Sequence, residues 1–116
     1  MSNEFALRWQ NPPEDIEWIF VEARDPLDLS QILRGICAHL VKPVQGGLVE
    51  ERVGVKLPSG TTLFGLSFRG TMDRWRNAVT DYCDETGRMR ASIRDGKLVL
   101  SKGEPLKFGR VEAFEY

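Results

Sequence analysis

The sequence predicts one α+β domain in βαββαβ order, an antiparallel sheet with two helices on one face and an added C-terminal strand. Three observations lead there. Two segments with helical apolar spacing are each apolar on one side only, so both need a common surface to cover. Short apolar or alternating runs flank them in the order strand, helix, hairpin, helix, hairpin within residues 16–101. Both hairpins carry a turn signal, Pro58-Ser59-Gly60 in the first and Asp95-Gly96 in the second.

Residues 1–15 are expected to form a leader ahead of a domain spanning 16–116. In the leader, Phe5, Leu7 and Trp9 alternate with Ala6 and Arg8 as in a short strand. Asn11-Pro12-Pro13 then stops any regular element, because consecutive prolines remove amide donors. The first core strand runs from Ile16 to Ala23, and its centre, Trp18-Ile19-Phe20-Val21, is apolar on both sides, as in a strand covered on both faces. Asp25 is a good N-cap for the first helix, Pro26 suits its first position, and Asp28 complements the positive end of the dipole. Leu29, Ile32, Leu33, Ile36, Cys37 and Leu40 form its stripe, and Pro43 with Gly46-Gly47 closes the unit.

Leu48 to Leu57 reads as a single half-buried strand, with Val49, Val53, Val55 and Leu57 on one side and Glu50, Arg52 and Lys56 on the other. Thr61 to Arg69 pairs back, with Phe64, Leu66 and Phe68 facing the helices. Thr71 as N-cap and Gly87 as C-cap bound the second helix, whose stripe is Met72, Trp75, Val79, Tyr82, Cys83 and Thr86. Arg88 to Arg94 follows as a strand with Met89, Ala91 and Ile93 inward and Arg88, Arg90 and Arg94 outward. The chain returns through Lys97 to Leu100, and a loop from Ser101 to Pro105 leads to a last strand, Leu106 to Phe114.

Composition narrows the function classes. Sixteen basic and 17 acidic side chains among 116 residues leave a formal charge of −1, without the basic surplus of a nucleic-acid binder. The first 20 residues have neither the cationic start nor the apolar run of a signal peptide. No stretch approaches the roughly 20 apolar residues that cross a bilayer, so no membrane partner is expected. Cys37 and Cys83, the only cysteines, sit at apolar positions of the predicted helices and are expected to face the core as reduced thiols in a cytoplasmic protein.

From Ile19 to Leu100 the order and spacing resemble the RNA-recognition motif, a family with a ferredoxin-like sandwich. Ile19-Phe20-Val21 fits its first signature, and Thr61 to Phe68 aligns with its second. The inward positions Phe64, Leu66 and Phe68 match. The outward positions, where the family stacks bases on aromatic rings, hold Leu63 and Gly65. Stacking contributes ~1–3 kcal/mol per base, so losing two of three platforms removes most of the affinity and leaves Phe20 alone. Arg52, Lys56, Arg69, Arg88, Arg90 and Arg94 are the candidate phosphate contacts. The resemblance therefore implies a ferredoxin-like topology without the family's activity.

Catalytic and metal chemistry finds little support. His39 is the only histidine, placed at the border of the first helix, and metal centres need three or four converging ligands. Asp25 and Asp28 are accounted for by capping, while Glu50 and Glu51 are consecutive on a strand and point to opposite faces. No metal or cofactor is expected. The first reading is a non-catalytic binding domain, a homodimer through its sheet face or terminal strands, with Phe5, Leu7, Trp9, Phe20, Leu63 and Phe114 as contacts. The second is a small-molecule-binding domain or minor enzyme with a pocket between sheet and helices involving Trp18, Trp75 and Tyr82. The third is weak single-stranded RNA binding on the sheet face.

Overall fold

The computed structural model describes residues 16–40, 46–49, 53–70, 72–94 and 96–116. The strands are β1 (Ile16–Glu22), β2 (Gly46–Val49), β3 (Val53–Lys56), β4 (Thr62–Gly70), β5 (Arg90–Arg94), β6 (Lys97–Leu100), β7 (Leu106–Lys107) and β8 (Glu112–Glu115). Two helices, α1 (Pro26–Ala38) and α2 (Met72–Thr86), complete an α+β fold with one curled antiparallel sheet. The strand order is β7-β6-β5-β1-β4-β3-β8, with β2 beside the far half of β4.

Local chemistry sets the helix ends. The Asp28 amide donates to the Asp25 carboxylate at 2.7 Å, capping α1 ahead of Pro26. Gly87 ends α2 at φ +75°, a left-handed conformation that favours glycine. Leu29, Ile32 and Ile36 carry the buried stripe of α1. Cys37 is exposed, which corrects its expected core position: the stripe narrows at the last turn, and only Cys83 of the two thiols is buried.

Side chains of β1 alternate between two cores. Ile19 and Val21 face the helices and pack with Phe64, Leu66, Ile32, Ile36, Val79 and Cys83. Trp18 and Phe20 face the other way and pack with Val53, Val55, Leu63, Ala91, Leu98, Val111 and Ala113. This second core takes residues from both wings of the sheet, Leu98 of β6 and Ala113 of β8, because the sheet curls over its own helix-free face. The Trp18 and Phe20 rings stack at 6.1 Å and lie across Gly65 of β4. A Cβ at Gly65 would sit 2.9 Å from Phe20 Cε1 and 3.1 Å from Trp18 Cζ3, so close approach of the rings explains this glycine.

Three expectations change. Met89, Ala91 and Ile93 do not lie under the helices: pairing of Phe20 with Ala91 and Val21 with Arg90 sends Ala91 to the second core and Arg90 to the helix side. Leu48 to Leu57 is divided into β2 and β3, and the registers Val49↔Ser67 and Gly54↔Phe64 differ by two residues. Leu106 to Phe114 is likewise divided. β7 pairs with β6 at one edge of the sheet, a 3₁₀ turn follows at Phe108–Arg110, and β8 pairs with β3 at the other edge. Lys107 and Glu112 are only five residues apart, which holds the two edges within about 18 Å and accounts for the curl.

Candidate ligand groove

Helix α2 packs over β1 and β4, but the sheet continues past it to β5 and β6. The uncovered strip forms a groove of about 430 Å³, inside the ~300–1,000 Å³ range of small-molecule sites. Ile19, Ser92 and Val99 belong to its floor, Arg76 and Thr80 line it from α2, and Arg90, Arg94 and Ser101 complete its polar lining. Strand alternation explains the arginines: Ala91 and Ile93 pack toward the second core, so Arg90, Ser92 and Arg94 point to the helix side.

The guanidinium groups differ in their partners. Arg90 donates from Nη1 to Asp84 Oδ1 at 2.7 Å, and reciprocal bonds between the Arg90 and Ser101 residues hold the adjoining backbones at 3.0 and 2.8 Å. Arg76 Nη1 donates to Asp73 Oδ1 at 3.0 Å across an exposed pair, of a kind that contributes ~0–1 kcal/mol. The Arg94 guanidinium forms no hydrogen bond or ion pair with any described residue.

Chain direction places these groups relative to one another. The Asp84–Arg90 bond fixes the C-terminal end of α2 beside the start of β5, and the two elements run in opposite senses from there. Arg76 lies about 12 Å back along the helix, and Arg94 about 14 Å along the strand. Both line the groove away from the Asp84–Arg90 pair.

A more deeply buried ion pair lies elsewhere. The Asp28 carboxylate, 1% exposed, accepts from Arg88 Nη1 at 3.0 Å and Nη2 at 3.1 Å, and from the Arg24 amide at 3.0 Å. The bidentate Arg88 bond, then the Arg24 amide, hold the Asp28 carboxyl well below the usual carboxylate range against the opposing effect of burial. Arg88 Nη1 also donates to the Glu22 carbonyl at 3.1 Å. Arg88 thus ties the start of α1 to the edge of β1, which corrects its assignment as a phosphate contact.

The other candidates separate. Trp18 lies in the second core while Trp75 and Tyr82 pack at the helix-side core, so the sheet divides the proposed aromatic pocket. Tyr82 instead packs on Gly35 of α1, where any Cβ would overlap its ring. Phe20 and Leu63 are 0% exposed, so contact through these side chains would require the second core to open. Phe114 is half-buried and meets Phe64 edge-on at 5.6 Å. Lys56 is exposed on β3, three strands from β5, and Arg69 is described only through its backbone pairing in β4. Phe5, Leu7, Trp9 and Arg52 lie outside the described residues.

Among the candidate phosphate contacts whose side chains are described, Arg90 and Arg94 come together in the groove, and the sequence does not single out Arg76 and Thr80 beside them. A signal was present, since Arg76, Thr80 and Asp84 recur every four residues along one flank of α2. His39 Nε2 pairs with Glu85 Oε2 at 3.0 Å, at the border position expected of it. Among the described residues no cluster of His, Cys, Asp and Glu is suited to a metal ion, and no helix is long and apolar enough to cross a membrane. Compared with protein-family models, curated proteins and solved structures, the chain matches none.

Proposed function

We propose that this chain is a non-catalytic binding domain that holds a small molecule in the groove between α2 and β5–β6. The observation that carries this reading is the groove itself, a concave site with an apolar floor, arginines along its sides and hydroxyls between them. Its described lining contains arginine, serine and threonine as polar groups, which suit recognition better than proton transfer at neutral pH. The same site replaces the aromatic pocket expected from the sequence.

We also infer a ferredoxin-like core within the larger sheet. The neighbour order β5-β1-β4-β3, with both helices packed on the same face, supports it, and β6, β7 and β8 extend it. Self-association through the sheet face loses its main argument, because the curled sheet fills that face from within. A cytoplasmic location is supported by the two free cysteines, of which Cys83 has its thiol pushed up to about 11, chiefly by burial.

Backbone amide shifts recorded against mixtures of small polar metabolites test the reading. Saturable shifts concentrated at residues 90–94, 99–101, 76 and 80 are expected. Shifts concentrated outside these residues, or none from any mixture, would remove the groove as the functional site.

A further inference from the structure

We propose that the ligand is an organic phosphate, bound with its phosphate between Arg76 and Arg94 and its body along the floor toward Arg90. The inference rests on the groove being the binding site. Arg76 and Arg94 both line the groove away from the Asp84–Arg90 pair, and Arg94 has no partner among the described residues. A phosphate monoester carries close to two negative charges at neutral pH, enough to compensate Arg94 and to compete with Asp73 for Arg76.

Each guanidinium offers five N–H donors in a planar fork that engages phosphate oxygens in pairs. The hydroxyls of Thr80 and Ser92 supply further donors between the arginines and the middle of the groove. The exposed Asp73 carboxylate is one competitor for Arg76, in a pair of a kind that contributes ~0–1 kcal/mol.

The opposite end has a different character. Arg90 uses one N–H on Asp84, so this pair presents both remaining donors and a carboxylate acceptor. It fits a hydroxyl or amine on the ligand better than a second phosphate. Ile19 and Val99 provide an apolar stretch between the two ends. The ligand is thus a molecule of up to about 14 Å, charged at one end, polar at the other and apolar between.

The described lining contains no aromatic ring on which successive bases would stack, which favours a small phosphate over a nucleic-acid strand. Two other charged groups among the described residues are already paired, Asp28 with Arg88 and Arg24, and His39 with Glu85.

Titration of the full chain with phenyl phosphate, followed by amide shifts, tests the assignment. Benzyl alcohol, inorganic phosphate and an oligothymidylate serve as comparison probes. Phenyl phosphate should shift residues 90–94 and 99–101, binding at least tenfold more tightly than benzyl alcohol and more tightly than inorganic phosphate. Arg94→Gln and Arg76→Gln should each weaken it about tenfold while leaving the rest of the spectrum unchanged.

Equal binding of benzyl alcohol, or unchanged affinity in Arg94→Gln, would overturn the phosphate assignment and leave the groove reading standing. Tighter binding of oligothymidylate, with affinity falling steeply in salt, would assign the phosphate to a nucleic-acid strand instead. Silence from all four probes would also overturn the assignment, and the broader metabolite mixtures would then decide the groove itself.

Discussion

The two faces of the sheet solve the same problem by different means. On one, α1 and α2 bring Ile32, Ile36, Val79 and Cys83 down onto Ile19, Val21, Phe64 and Leu66. On the other, no α-helix is present among the described residues, and the sheet closes over Trp18, Phe20 and Leu63 with its own wings. The helices cover only the middle strands, whereas curling draws on strands from both edges. The contrast teaches that the helix-covered face is the one with space left over. Beyond α2 the strands β5 and β6 continue uncovered, and the arginines collect there.

The comparison breaks most severely at its centre. Phe20→Ala should cost ~3–5 kcal/mol, measured by urea unfolding, since Phe20 is fully buried where both wings of the sheet meet. A loss below ~1 kcal/mol would show that the second core is loosely packed.

Asp28→Asn tests the helix side. Removing one partner of a buried ion pair costs ~3–5 kcal/mol at neutral pH. Because the folded state holds the Asp28 carboxyl below its ordinary value of 3.8, the pair's contribution is fully present above that value. It fades as pH falls further, through the depressed value. The stability gap between native chain and variant should therefore be constant near neutrality and shrink in acid below 3.8. A gap that widened there would contradict the assigned pairing.

Gly65→Ala is a smaller disturbance. A methyl there meets Phe20 and Trp18 at under van der Waals distance and should cost ~1–3 kcal/mol, with tryptophan emission altered as the rings shift. Arg94→Gln belongs at the bottom of the series, with stability unchanged within ~0.5 kcal/mol. Its effect should be confined to ligand binding, which separates the groove from both cores.

Much of the middle of the fold was legible. The cap at Asp25-Pro26, the end at Gly87, the turn at Gly60 and the inward set Phe64 and Leu66 follow from local rules that tertiary contacts left intact. The faces of β5 were not legible, because Arg88 to Arg94 alternates equally well either way up. Only its pairing with β1, Phe20 against Ala91, decides which set is covered. The destination of Phe20 and Leu63 was hidden for a related reason: an apolar residue facing away from the helices reads the same whether a partner or a distant wing of the same sheet covers it. The groove was half legible. Arg90 and Arg94 stood out by charge, but Arg76 and Thr80 gain meaning only once α2 runs back alongside β5.

The short passage from β7 to β8 acts as a ruler. Between Lys107 and Glu112 only four residues, Phe108 to Val111, span from one margin of the sheet to the other, and the last of them, Val111, is buried. Curvature in this protein is thus a matter of chain length as well as of side-chain packing. Each residue inserted in that passage would let the margins part by up to about 3.5 Å. The strap sets how far the sheet can flatten, independently of the turn sequences that shape its hairpins.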